Sequence, residues 1–155
     1  MRGLGFLAHA RASSGAGAWL VCLLALSSTS GCEDRSYREI GAQINTLTKP
    51  GGGSVPEAIA QLARMGRRTL PQIETALHTA PPHGKSNLIR ALDAIGDPEA
   101  VPIVQHFAVY DANAEVRSAC EELLRRWADA GGSRAGPARQ ALARTVEKRA
   151  KGEGP

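Results

Sequence analysis

The stretch "IGDPEAVPIVQHFAVYDANAEVRSACEELL", residues 95–124, predicts two amphipathic helices joined by a short turn. Asp97 and Pro98 are typical of a helix start, because aspartate can accept bonds from free N–H groups and proline has no N–H that needs a partner. After the turn "YDAN", Asn113 is expected to cap the second helix. The predicted apolar stripes, at steps of three and four, are Val101, Val104, Phe107 and Ala108, then Val116, Ala119, Cys120, Leu123 and Trp127.

The same helical pattern runs outward from this stretch in both directions, and no strand-like alternation occurs. Ser54 and Thr69 are expected to cap two helices, with Glu57 and Gln72 three residues later. A helix is also expected from Lys85. The other predicted stripes are Tyr37, Ile40, Ile44 and Leu47; Ile59, Leu62 and Met65; Ile73, Ala76 and Leu77; Leu88, Ile89, Leu92 and Ile95; and Ala138, Leu142 and Val146. We therefore predict about seven helices and an all-α fold.

An internal repeat becomes visible when residues 67–96 are placed over residues 98–127. Pro71 then falls on Pro102, and Leu92 falls on Leu123. One helix pair cannot bury its apolar stripe alone, whereas stacked pairs form a continuous core. The sequence predicts a short α-solenoid of stacked antiparallel helix pairs, closed by a C-terminal capping helix.

The stretch 95–124 resembles a HEAT repeat of the short bacterial kind, the sort also found in phycobilisome-lyase-like proteins. Besides Gly-Asp-Pro at its start, the resemblance rests on four structural positions, which are Pro102, Asp111, Val116 and Arg117. It implies that Asp111 bonds backbone N–H groups in the turn and pairs with Arg117. The preceding unit keeps the proline but has Ala and Ser at the Asp and Arg positions.

Residues 1–31 have the layout of a secretory signal peptide. Arg2 and Arg11 give a basic start without acidic residues, and the apolar run of residues 18–26 is followed by small residues. This run is shorter than the about 20 apolar residues that a membrane-spanning helix needs. A buried helix of the folded domain is the alternative.

The end of this segment, Ser30-Gly31-Cys32, resembles a bacterial lipoprotein signal, although Thr29 stands where the family usually has Leu. The resemblance implies that the Cys32 sulfur receives a diacylglyceryl group through a thioether bond, with fatty-acid chains such as palmitate, and that the chain is then cleaved before Cys32. Ordinary secretion stays open. Two acyl chains anchor a protein stably and one does not. The 124 remaining residues hold 17 basic and 15 acidic side chains, a net charge of +2, and Cys120 becomes a lone thiol.

The predicted organisation has four parts. They are a signal peptide (1–31), the lipidated Cys32 with a first short helix and a Gly-rich loop (32–54), the HEAT-like repeat domain (55–149) and a disordered tail (150–155).

No catalytic, cofactor-binding or metal-binding residues are predicted. His78 and His83 flank a Pro-Pro turn but have no third ligand spaced nearby. His106 and Cys120 could approach each other on neighbouring helices, yet Cys120 belongs to an apolar stripe, where cysteine is usually inert.

Basic residues cluster at Arg64, Arg67 and Arg68, and again after Arg125 along the last helix. Basic residues in the last turn of a helix favour its dipole. They could also attract anionic lipid or an acidic partner, with the C-terminal helix the best candidate. Nucleic-acid binding is not expected, because interleaved aromatic residues are missing.

The resemblances imply a non-catalytic lipoprotein of the bacterial cell envelope, facing the periplasm or the exterior. Its HEAT repeats would serve as a scaffold or adaptor for another envelope protein, whose identity the sequence does not give. Two alternatives stay open: a lyase-like or accessory enzyme subunit, and a structural envelope protein.

Overall fold

The computed structural model describes residues 30–51 and 53–155, and all regular secondary structure in this part of the chain is helical. The predicted all-α fold is confirmed, and residues 30–51 and 53–155 contain the seven α-helices that were expected. The α-helices are α1 Ser30–Thr48, α2 Val55–Met65, α3 Leu70–Thr79, α4 Pro82–Ile95, α5 Ala100–Tyr110, α6 Ala114–Ala130 and α7 Ala135–Ala150, with a 3-10 helix Gly66–Thr69 between α2 and α3. Residues 1–29, which hold most of the predicted signal peptide, and the side chain of Cys32 lie outside the described residues.

The helices of the compact unit 37–155 pack as consecutive hairpins in two layers. Each of α3, α5 and α6 packs against the helix that follows it in the chain. Contacts also join α2 to α4, α4 to α6, and α5 to α7. We call α3, α5 and α7 the odd layer, and α2, α4 and α6 the even layer. This arrangement gives each hairpin a neighbour against which its apolar stripe is buried, as a solenoid requires.

The core confirms most of the predicted stripes. The largest fully buried side chains include Leu62, Ile73, Leu77, Leu88, Leu92, Val104, Val116, Leu123 and Trp127. Burial of one such leucine contributes about 1.5–3 kcal/mol relative to exposure. The continuous cluster that they form extends from α1 to α7.

The prediction that Tyr37 and Val146 are buried in the core was wrong, because these residues are 64% and 66% exposed. Tyr37 lies one turn before Ile40, which is the first buried residue in the described part of α1. In α7 the buried face is rotated away from Val146. Its buried residues are Ala135, Ala138, Ala141 and Thr145, whose small side chains allow a close approach to α5 and α6.

The helix starts differ from the sequence prediction at three places. Neither Ser54 nor Thr69 makes a side-chain capping bond. Thr69 is instead buried in the 3-10 helix, and its hydroxyl donates to the Gly66 carbonyl over 2.8 Å. Helix α4 begins at Pro82 rather than at Lys85, since proline suits the first helical turn.

Close packing fixes the end of α1 against α4. Asn87 Nδ2 donates to the Leu47 carbonyl over 3.0 Å. A Cβ added to Gly84 would lie 3.0 Å from the Thr48 backbone, so a larger residue there would need the two helices to move apart by a few tenths of an ångström. The hydrogen bond therefore ties α1 to the repeat domain.

The tail after α7, predicted to be disordered, is placed against α5 in the structure. The Tyr110 hydroxyl donates to Glu153 over 3.2 Å, and Lys148 pairs with Glu153 at 3.6 Å. Gly154 lies so close to the Val109 carbonyl that a Cβ would come within 2.8 Å of its oxygen.

Candidate functional site

The turn between α5 and α6 is organised by the buried carboxylate of Asp111. Its Oδ1 accepts a bond from the Asn113 backbone N–H over 2.9 Å, as the sequence predicted. Asn113 in turn caps α6, accepting from the N–H groups of Glu115 at 2.7 Å and Val116 at 3.4 Å. The capping prediction for Asn113 is confirmed. These bonds satisfy N–H groups that have no partner within the helix.

The second oxygen of Asp111 binds the preceding hairpin. Lys85 Nζ in α4 lies 2.5 Å from Oδ2, and the two side chains are only 15% and 1% exposed. Arg117 does contact Asp111, but through the backbone: its Nη1 donates to the carbonyls of Asp111 at 2.7 Å and Ala112 at 3.1 Å. The expected pairing of the two side chains was therefore wrong, because Lys85 occupies the carboxylate. Nothing in the repeat pattern pointed to this lysine.

The other two HEAT positions differ in exposure. Val116, in the first turn of α6, is buried in the core. Pro102 lies exposed in the first turn of α5, opposite its repeat equivalent Pro71 in α3. Pro102 therefore shapes the surface, and Val116 holds the hairpin together.

Pro71 and Pro102 line an open groove of about 990 Å³ between α3 and α5. Its apolar side is completed by Leu70 and Ile103. Polar groups line the remainder, and they are Arg67, Arg68, Glu74, Glu99 and His106. Arg67 forms an ion pair with Glu99, which links the 3-10 helix to the start of α5. The groove combines apolar surface with charged groups, which is typical of binding sites.

A row of three rings on α3 and α5 continues from this groove to Lys148 of α7. The ring centroids of His78 and His106 are 5.6 Å apart, and those of His106 and Tyr110 are 5.1 Å apart. Lys148 donates to the Tyr110 hydroxyl over 2.7 Å, and this bond raises the pKa of Lys148. The sequence signal for the row was the spacing of four between His106 and Tyr110. His78 could not be added, because it joins from another hairpin.

Most of the basic residues of α7 bond within the protein. Arg149 bridges to Glu121 in α6 at 2.5 Å and to the Ala108 carbonyl at 2.7 Å. Lys151 pairs with Glu147 at 2.5 Å. Among the described residues, Arg68 and Arg144 are exposed and make no ion pair. Arg68 in the 3-10 helix and Arg144 in α7 thus carry uncompensated positive charge, and α7 is not uniformly basic.

A separate cluster of polar side chains around Asp93 joins α4, α6 and the start of α7. The indole N–H of Trp127 donates to Asp93 over 2.7 Å, and Arg126 donates to it over 3.0 Å. Arg134 lies 5.1 Å from the Trp127 ring and 3.7 Å from the same carboxylate. The sequence did not indicate this cluster, whose partners come from three helices. It stabilises the end of the stack.

The structure places Cys120 and His106 in different surroundings. His106 lies on the exposed side of α5, whereas Cys120 is buried beside Asp111 and Lys85. Burial, reinforced by the Asp111 charge, raises the pKa of the Cys120 thiol to about 12. The thiol therefore stays protonated at neutral pH, which makes it a poor nucleophile.

Among the residues that the structure describes, the remaining histidine is His83, which is exposed in the first turn of α4. Within residues 30–51 and 53–155, no three His, Cys, Asp or Glu side chains lie together as a metal site. None of the described helices has the length and apolar character to cross a bilayer.

The stacked hairpins, with a buried charged contact between successive pairs, define an α-solenoid. Residues 57–125, from α2 to α6, match the family model of HEAT repeats, so this part of the chain is a HEAT-repeat domain. The family predicted from residues 95–124 is thereby confirmed. No curated protein and no solved structure shows significant similarity to the chain.

Proposed function

We propose that this protein is a membrane-anchored HEAT-repeat lipoprotein of the bacterial cell envelope that serves as a non-catalytic scaffold or adaptor for another protein. The observation that carries the proposal is the exposed face of the odd layer, where the groove and the row of rings form one surface. HEAT-type helical domains are interaction domains, and a fold of this kind needs such a surface to bind a partner.

The anchor is supported by the sequence around Cys32. A small residue precedes the cysteine, and an apolar run comes before it. Two acyl chains would hold the protein at a bilayer, whereas one would bind only marginally. Attachment at Cys32 keeps the repeat domain near the membrane, where its partner would be an envelope protein.

The proposal of a non-catalytic role is supported by the burial of the Cys120 thiol. A lyase-like function through Cys120 would need an accessible thiolate, and this thiol is buried with a raised pKa. A thiol reagent at neutral pH should label Cys120 only after denaturation. Rapid labelling of the folded protein would contradict the non-catalytic role and favour the lyase-like alternative.

The anchor is tested by fractionating cells that produce Cys32→Ser, with Cys120→Ala as the matched control. We expect Cys32→Ser to lose acylation, measured by mass spectrometry, and to leave the fraction that detergent extracts. Cys120→Ala should stay with the wild type. Acylated protein in the Cys32→Ser sample would contradict the assignment.

The scaffold role is tested by chemical crosslinking in intact cells, followed by purification from the solubilised envelope. We expect a second envelope protein to be crosslinked in stoichiometric amount through residues of the odd layer. Crosslinks restricted to lipid or to the cell wall would support the structural-protein alternative instead.

A further inference from the structure

The surface of the odd layer is one continuous channel across three helices. The groove between α3 and α5 shares Pro102 and His106 with a smaller depression of about 240 Å³ between α5 and α7. Arg144 and Lys148 line the far side of that depression. A ligand that fills both therefore spans from the 3-10 helix to α7, which is long for a small molecule and suits a segment of chain.

The apolar strip along the channel comes from residues with little capacity for hydrogen bonding. Leu70 and Ile103 lie at its floor and are almost buried, and Pro71 and Pro102 stand exposed beside them. Such a strip binds apolar side chains that project from one side of a ligand. In an extended peptide, every second side chain points the same way, so alternate residues can contact the strip.

The charge of the channel is positive. Its lining holds Arg67, Arg68, Arg144 and Lys148 and the two carboxylates of Glu74 and Glu99. The carboxylate of Glu153 pairs with Lys148 at the edge, which leaves a net charge of +1. Arg68 and Arg144, at the two ends of the channel, make no ion pair within the described residues. A complementary ligand carries carboxylates where it passes these two arginines.

From this geometry we propose that the channel of the odd layer binds an acidic segment of a partner protein in an extended conformation. The proposal rests on the scaffold function and names the kind of partner. Alternate apolar side chains contact Pro71 and Pro102, and the acidic side chains between them pair with Arg68 and Arg144. Electrostatic attraction of this kind raises the association rate and the specificity, and it weakens with salt.

The test is a fluorescence-anisotropy titration of the full-length protein in neutral detergent micelles. The probes are three labelled peptides in which Val alternates with Glu, with Gln or with Lys. We expect the Glu peptide to bind best and the Lys peptide not at all. The double variant Arg68→Glu/Arg144→Glu should weaken Glu-peptide binding about tenfold. At both positions, the attraction between arginine and a peptide carboxylate is replaced by repulsion between two carboxylates.

Arg90→Glu is the matched control, since Arg90 is exposed on α4 in the even layer. It should bind the Glu peptide as the wild type does, and circular dichroism should show both variants to be folded. Equal binding of the Glu and Lys peptides, or full affinity in the double variant, would overturn the proposal.

Two further outcomes identify a different occupant. If the double variant loses only its retention on phosphatidylglycerol vesicles, the channel binds lipid and the proposal fails. If it changes only the self-association measured by sedimentation, the occupant is a second copy, and the proposal also fails. If a crosslinked partner still binds the double variant, the scaffold function is supported, but the partner binds elsewhere and the channel proposal fails.

Discussion

The two hairpin turns of the repeat domain reach the same shape by different chemistry. Between α5 and α6, the side chains of Asp111, Asn113 and Arg117 bind the backbone of the turn. Between α3 and α4, Ala80 and Pro81 are extended and Pro82 opens the next helix, so restricted backbone angles replace side-chain bonds. Proline lowers the conformational entropy of the unfolded chain, whereas the hydrogen bonds of the polar turn stabilise the folded state.

The two turns also depend on each other. The α3–α4 hairpin has no acidic residue at the position of Asp111, but its Lys85 reaches the Asp111 carboxylate of the next hairpin. The polar turn thus serves as the binding point between successive pairs. We expect changes there to destabilise the whole stack, and changes in the proline turn to have small local effects.

Asp111→Ala should have the largest effect. It removes the bond to the Asn113 N–H and leaves Lys85 without a partner in a part-buried position. Loss of one member of a buried pair costs about 3–5 kcal/mol. Urea denaturation measures the change in the free energy of unfolding. Asp129→Ala, which removes an exposed carboxylate from α6, should change it by less than about 0.5 kcal/mol.

The next largest effect is that of the Cys120 thiol, beside the polar turn, on the pH dependence of the free energy of unfolding. The pKa of Cys120 is about 12 in the folded protein and near its ordinary value of 9.0 when unfolded. The unfolded state therefore loses this proton first as pH rises. Stability from this group is complete below about pH 9 and declines from there toward pH 12, by up to about 1.4 kcal/mol per pH unit.

Cys120→Ala removes this dependence and serves as the comparison in denaturation series at several alkaline pH values. The difference in slope between the wild type and Cys120→Ala reports the thiol alone, since both contain the same lysines. Parallel curves would show that Cys120 titrates normally in the folded state, which contradicts its burial.

Arg117→Ala should have a moderate effect. It removes two bonds from the guanidinium to the carbonyls of Asp111 and Ala112. The carbonyl groups can bind water instead, because Ala112 is exposed, so we expect a loss of about 1–2 kcal/mol by urea denaturation. Arg117→Lys should recover part of it. A loss as large as that of Asp111→Ala would show that the guanidinium, and not the carboxylate, organises the turn.

Pro81→Ala should have the smallest effect. Alanine adopts the same backbone angles, and the change acts through the greater freedom of the unfolded chain. We expect a loss of about 0.4–1 kcal/mol in thermal or urea denaturation. A loss of several kcal/mol would mean that the proline turn contributes more than backbone restriction.

The fold was predictable because its signals are local. Helix periodicity, the Pro71–Pro102 offset and the cap at Asn113 all lie within one or two hairpins. The errors at Tyr37 and Val146 occurred at the ends of the stack, where a residue in phase with the stripe has no neighbour to cover it. Burial of an end helix depends on what packs against it, which periodicity does not report.

The candidate site was less predictable because its parts come from different hairpins. The partner of Asp111 is 26 positions away, and the row of rings joins His78 to His106. The basic residues of the last helix and the tail are a possible lipid-binding set by sequence. In the structure, however, Arg149 and Lys151 form ion pairs with acidic residues of the same chain. Such pairs depend on helix orientation, so the residue types are visible in the sequence but their partners are not.

A double-mutant cycle on Lys85 and Asp111 tests most directly whether this charged contact joins successive hairpins. Lys85→Met, Asp111→Asn and the double variant are compared with the wild type by urea denaturation. We expect each single variant to be destabilised and the double variant to be more stable than their sum implies, with a coupling free energy of about 1–3 kcal/mol. A coupling near zero would contradict the account, because the hairpins would then be joined by apolar packing alone.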